Sequence, residues 1–169
     1  MLTGTCYSSR VIEHDVLVSI DPRFGRHVTA DWLAAIVRMA LEMEKAGACQ
    51  VGVVITGDDQ IRELNREYAG EDHTTDVLSF SLREGEEFVA PDDTNRLGEI
   101  VVSYETAQRQ ATDGGHDVDE EIAHLLVHGV LHLLGYDHAS LEGEATMRAR
   151  ERRVLGELSI EPHYPASNL

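Results

Sequence analysis

The segment from Asp117 to Gly135 constrains the fold of this chain more than any other. It begins with a helix N-cap signal, because Glu120 lies three residues after Asp117 as in a capping box. Apolar residues then occupy most sides of the predicted helix, which predicts a buried helix at the centre of the domain. Gly135 is predicted to end this helix, since glycine readily adopts the left-handed conformation found at helix C-termini.

Three histidines lie at the end of this helix, in the sequence HGVLHLLGYDH from residue 128 to residue 138. His128 and His132 are about one helical turn apart, so both imidazoles can reach one ion. A turn at Gly135 can bring His138 to the same ion. Three neutral nitrogens leave one tetrahedral position open, as in catalytic zinc sites. The spacing therefore predicts one bound Zn²⁺, although imidazoles also accept nickel, copper or iron.

Two further residues flank the predicted ligands. His124 lies one turn before His128, but about 12 Å along the helix axis separates it from His132. We therefore expect His124 to be a buried neighbour or a group that orients a ligand. Asp137 precedes His138 and either bonds to a ligand imidazole or holds the turn.

The histidine spacing is also that of zinc proteases, H-E-x-x-H-x-x-G-x-x-H. In those enzymes the second residue is the glutamate that takes a proton from water, and here it is Gly129. Glycine cannot act as a general base. A metalloprotease therefore stays an alternative that Gly129 opposes.

The rest of the chain alternates strand and helix patterns without repeats. Strands are predicted at 11–20, 50–56, 77–82 and 97–103, and helices at 29–46, 58–68, 104–112, 117–135 and 140–155. Residues 83–96 are predicted to form an acidic exposed loop, and residues 1–10 and 162–169 to be flexible. We interpret residues 1–169 as one α+β domain: a roughly four-stranded mixed sheet packed with about five helices, with the metal site at the end of a central helix.

The composition limits where the protein acts and what it binds. The net charge is −17, from 31 acidic and 14 basic residues, and so acidic a surface repels polyanions at long range. No apolar run reaches the ~18 residues of a membrane span, and the first residues lack the pattern of a secretory signal. Cys6 and Cys49 form no disulfide framework. We expect a cytoplasmic protein with no membrane partner and no dinucleotide cofactor.

Beyond the spacing, HGVLHLLGYDH strongly resembles the signature H-G-x-L-H-L-x-G-Y-D-H of the YbeY family of bacterial endoribonucleases and rRNA maturation factors. The segment ELNREYAGEDHTTDVLSF, from residue 63 to 80, is similar to a second block of that family, L-N-x-x-Y-R-x-x-D-x-P-T-[DN]-V-L-S-F. LGEIVVS, from residue 97 to 103, resembles its L-G-D-I-x-I-S strand. Together these segments cover roughly residues 60 to 138.

The resemblance implies a fold and an activity. The fold would be an α+β sandwich with a cleft between sheet and helices, and His128, His132 and His138 would bind zinc. The activity would be metal-dependent cleavage of single-stranded RNA in 16S rRNA 3′-end maturation and ribosome quality control. The partners would be rRNA and the small ribosomal subunit, and the oligomeric state stays open. Asp76 is the best candidate in the second block for a carboxylate that positions a water.

The second block also departs from the family pattern. Ala69 stands where the family usually has an arginine suspected of contacting RNA phosphate, and Thr74 replaces its proline. Arg66, about one helical turn upstream, is our candidate substitute for RNA binding. Phosphate contacts normally dominate RNA affinity, so a local basic path or a ribosomal partner must offset the acidic surface. A ribosome assembly factor that binds without cutting, with a structural metal, is the other alternative.

Overall fold

The computed structural model describes residues 13–82 and 95–164. It contains β1 (His14–Ile20), α1 (Ala30–Met43), β2 (Cys49–Thr56), α2 (Asp58–Tyr68), β3 (Val77–Ser81), β4 (Arg96–Ser103), α3 (Tyr104–Gly114), α4 (Val118–Leu133) and α5 (Leu141–Glu157). Residues 1–12, residues 83–94 of the predicted loop at 83–96, and residues 165–169 lie outside the described residues, and so do the expectations for them. Within the described ranges, no helix is both long and apolar enough to cross a bilayer.

The strands form one mixed sheet in the order β1-β2-β4-β3. β1, β2 and β4 are parallel, and β3 runs antiparallel to β4 at one edge. The predicted α+β class, the four-stranded mixed sheet and the five helices are confirmed for the described residues. The predicted element bounds differ from the observed ones by at most three residues. α1, for example, begins after Thr29, whose hydroxyl accepts a hydrogen bond from the Trp32 amide.

α4 is the central helix, as its apolar pattern predicted. It packs against α1, α3, α5, β3 and β4, and Ile122, Leu126 and Leu131 are fully buried. Burying one such side chain contributes about 2 kcal/mol to folding. At its N-terminus the Glu120 carboxylate accepts a hydrogen bond from the Asp117 amide at 3.4 Å, as expected for a capping box.

The end of α4 places the third histidine beside the first two. The helix ends at Leu133, and Gly135 has a φ of +95°, a left-handed conformation that favours glycine. The Tyr136 amide donates to the Leu131 carbonyl at 3.0 Å and so directs the chain back along the helix. The predicted stop at Gly135 is therefore confirmed within two residues.

Gly129 allows α4 to lie directly on β4. A Cβ added to Gly129 would be 2.7 Å from Cγ2 of Ile100, a buried residue of that strand. A larger side chain at position 129 therefore forces the Ile100 side chain or the spacing between α4 and β4 to shift. At the position where zinc proteases have their general base, this chain has a glycine that packs against the sheet.

Substituting Gly129→Ala is expected to lower the free energy of unfolding by about 1–3 kcal/mol, because the added methyl overpacks the α4–β4 contact. Urea denaturation followed by circular dichroism measures this change. Gly156→Ala on α5 is the matched control, since a Cβ there meets nothing within 4 Å. That control should stabilise the protein by up to about 1 kcal/mol. Equal stabilisation by both variants would contradict the packing role of Gly129.

Candidate metal centre

The three histidines meet in space. His128 and His132 extend from the last turns of α4, and His138 comes from the loop after Gly135. One ring nitrogen from each lies within 4.8 Å of the others. The Nε2 atoms of His128 and His132 are 3.0 Å apart. His128 and His132 are half-buried, whereas His138 is exposed, so the group opens to solvent on one side.

The surroundings of His132 favour its neutral form. Burial lowers the pKa of its imidazole, and the neighbouring His128 and His138 lower it further. A neutral imidazole is the form that donates a lone pair to a metal ion. Burial and the two neighbouring rings therefore favour the metal-binding form of His132 at neutral pH.

Glu151, on α5, supports the group from behind. Its Oε1 lies 2.7 Å from Nδ1 of His128, and its Oε2 lies 3.5 Å from Nε2 of His124. Burial opposes ionisation of this carboxyl, but the hydrogen bonds of His124 and His128 outweigh burial and lower its pKa to about 2. An ionised carboxylate only accepts hydrogen bonds, so the Nδ1 of His128 carries the proton. The Nε2 of His128 is then free to face the other two histidines.

A tyrosine completes the support of Glu151. The Tyr164 hydroxyl donates a hydrogen bond to Oε2 of Glu151 at 2.9 Å, and its ring meets the edge of His124. Burial and the adjacent carboxylate raise the pKa of the Tyr164 phenol, which therefore stays protonated. Tyr164 belongs to the segment 162–169 that we expected to be flexible, and its contacts to Glu151 and His124 join it to the centre.

Sequence reasoning missed Glu151 and Tyr164, although Glu151 carries a signal. Met147, Val154 and Leu155 form the buried face of α5, and Glu151 occupies the same face at helical spacing. A lone acid on an apolar stripe indicates a buried partner. Tyr164 has no such signal, because its contact depends on the path of the chain after the last helix.

Asp76 lies beside the centre, immediately before β3. Two cavities flank the histidines: the α5-side cavity, of about 650 Å³, and the β3-side cavity, of about 440 Å³. Asp76 lines both, together with His128 and His138. One carboxylate oxygen accepts from the Val77 amide at 2.7 Å, and the other accepts from Gln110 at 3.1 Å. These contacts hold the carboxylate in place at the junction of the cavities.

The remaining candidates lie in different settings. The Asp137 carboxylate accepts from the Ala139 amide at 2.7 Å, a contact within the turn that presents His138. His124 is buried, and its Nε2 lies 3.5 Å from the Glu151 carboxylate that also contacts His128. Arg66 is exposed on α2, with Glu63 at 3.9 Å, and it lines neither cavity beside the histidines. The structure does not bring Arg66 to the metal centre.

These residues fit a zinc ion. The donors are three imidazole nitrogens, one of them oriented by a buried carboxylate, which is the usual arrangement around catalytic zinc. Among the described residues, the three histidines are the only group of three or more His, Cys, Asp or Glu side chains close enough to share one ion.

A comparison with known protein families assigns the chain. The family model described as "Endoribonuclease YbeY" matches residues 22–159, which include all three histidines and Glu151. The chain belongs to the YbeY family. The resemblance predicted from the three sequence blocks is thereby confirmed. Tyr164 lies beyond the matched residues.

Individual relatives agree with the YbeY assignment. The chain is 46% identical over 128 residues to "Endoribonuclease YbeY" of Desulforamulus reducens, which covers 75% of this chain and 84% of that protein. It is 42% identical over 152 residues to "Endoribonuclease YbeY" of Roseiflexus sp. strain RS-1, covering 88% and 95%. Among solved structures, it resembles the solution structure of TM1509 from Thermotoga maritima, with 25% identity and a TM-score of 0.57, covering 93% of this chain and 100% of that one.

Proposed function

We propose that the protein is a zinc-dependent endoribonuclease specific for single-stranded RNA. His128, His132 and His138 would hold one Zn²⁺. The observation that carries the proposal is the convergence of these three nitrogens within 4.8 Å in a chain whose relatives are named endoribonucleases. The open side of the histidine group gives a phosphodiester room to approach.

The chemistry divides between the ion and the protein. Bound zinc would supply a Lewis acid that polarises a phosphoryl oxygen and lowers the pKa of water. Glu151 keeps His128 in the tautomer that presents Nε2. Asp76 would position the attacking oxygen, either of water or of the 2′-hydroxyl of RNA, by accepting its hydrogen bond.

The family resemblance supports a proposal for the biological role. We propose that the enzyme acts in 16S rRNA 3′-end maturation and in ribosome quality control, in the cytoplasm, with rRNA and the small ribosomal subunit as partners. The net charge of −17 supports a requirement for such a partner or for a local basic path, because so acidic a protein repels free RNA at long range.

A cleavage assay on three substrates tests the proposed activity. The purified zinc-loaded protein is incubated with single-stranded RNA, duplex RNA and an unstructured peptide, each with and without chelator. We expect single-stranded RNA alone to be cut, and cutting to stop with chelator and return with zinc. Chelator-sensitive peptide cleavage with intact RNA would favour the metalloprotease instead. RNA that is bound but never cut would favour an assembly factor with a structural metal.

A further inference from the structure

RNA that reaches the histidines needs cationic contacts close to them. The α5-side cavity has both His128 and His138 in its wall, and Arg148 lies in the same wall. In the described parts of the chain, Arg148 is the only lysine or arginine that lines either cavity beside the histidines. A phosphate bound at Arg148 would therefore lie in the same cavity as the proposed cleavage centre.

Arg148 and Arg152 form a pair on α5, one helical turn apart. Both guanidinium groups lie over the ring of Tyr164, with Cζ at 4.6 Å and 5.8 Å from the ring centroid. Tyr164 in turn donates to Glu151, which holds His128. Tyr164 and Glu151 thus connect the arginine pair to His128 through direct contacts.

Both arginines are available to an incoming anion. Arg148 contacts the Glu144 carboxylate at 2.5 Å, but both side chains are more than a third exposed, so this ion pair is weak and exchangeable. Arg152 is exposed and has no carboxylate partner among the described residues. The other two arginines of α5 are engaged elsewhere, since Arg150 pairs with the buried Glu44 and Arg153 donates to the Met43 carbonyl.

We infer that Arg148 and Arg152, backed by Tyr164, form the phosphate-binding site for single-stranded RNA in this protein. A guanidinium binds phosphate in a bidentate manner, and stacking on an aromatic ring holds it in place for that contact. The pair would supply the phosphate contact that Ala69 cannot make, and Arg66 lines neither cavity. The inference rests on the proposed function, because it names the cation site for the same substrate.

The effect of salt on cleavage kinetics tests the inference. KM for single-stranded RNA is measured with the zinc-loaded protein at several salt concentrations. Arg148→Gln and Arg152→Gln are each expected to raise KM about tenfold at low salt and to reduce the slope of log KM against log salt by roughly one. Arg148→Lys should recover part of the loss, because it restores the charge without the bidentate geometry.

Two further variants separate this role from damage to the fold. Glu144→Gln removes the anion that competes for Arg148 and is expected to lower KM, a gain that misfolding cannot produce. Arg153→Gln removes the same charge from another face of α5 and should leave KM near the wild-type value.

The outcomes distinguish the inference from the proposed function. If the wild-type protein cuts RNA but Arg148→Gln and Arg152→Gln keep its KM and salt slope, the arginine pair is not the phosphate site. An equal loss in Arg153→Gln would likewise overturn the inference, because general charge rather than position would then set affinity. If the wild-type protein neither binds nor cuts RNA, the proposed function falls and the inference falls with it.

Discussion

His132→Ala is expected to remove zinc binding at stoichiometric concentrations and to slow RNA cleavage by at least about a hundredfold. His132 is the middle member of the group, with its Nε2 3.0 Å from that of His128 and its ring 5.0 Å from that of His138. Losing a direct ligand should cost more than losing a group that only orients one, for which the usual loss is about 10–100-fold. Elemental analysis and single-turnover cleavage measure the two effects.

His27→Ala is the matched control, since His27 is exposed in the turn before α1 and is not part of the histidine group. It should retain both zinc and activity. His138→Ala provides a second test, because His138 is exposed and its removal disturbs no core packing. Wild-type cleavage in either His132→Ala or His138→Ala would contradict a catalytic metal at this centre.

Glu151→Gln is expected to weaken zinc binding about 10–100-fold, because it disturbs the partner that orients His128. The amide keeps the shape of the side chain but brings an NH₂ group to a position surrounded by donors from His124, His128 and Tyr164. At least one of these donors then faces the NH₂ group and loses its hydrogen-bond acceptor. The same change should lower the free energy of unfolding by about 1–3 kcal/mol. Chelator competition and urea denaturation give the two values.

Glu157→Gln is the control for this substitution, since Glu157 is an exposed acid at the end of the same helix. It should leave zinc affinity and stability near wild type. If Glu151→Gln loses stability but keeps full zinc affinity, Glu151 is only a buried structural acid and does not position the ligand.

The metal centre was predictable where it depends on local spacing. The interval between His128 and His132 fixes their distance on any helix, and Gly135 is suited to the turn that returns His138. The apolar pattern of α4 also predicted a central position. These features come from periodicity within one segment, so no knowledge of the packing was needed.

The parts that depend on packing between segments were not predicted. Glu151 reaches His128 only because α5 packs against α4 with that face inward, and the apolar stripe of α5 was the sole hint. Arg66 is the opposite case, a residue that the sequence suggested and the packing places away from the site. Its separation from Ala69 in sequence suggested a substitute cation, but the face of α2 that carries it does not border either cavity. The spacing of residues along one helix does not show which face of that helix will border a cavity once the helix packs on the sheet.

A zinc titration of metal-free protein tests the central claim most directly. The rate of single-stranded RNA cleavage is measured as zinc is added in known ratio to protein. We predict no cleavage without metal, a linear rise, and a plateau at one zinc per chain that is absent in His132→Ala. Cleavage without metal, a plateau at another ratio, or the same curve in His132→Ala would contradict a single catalytic zinc held by the three histidines.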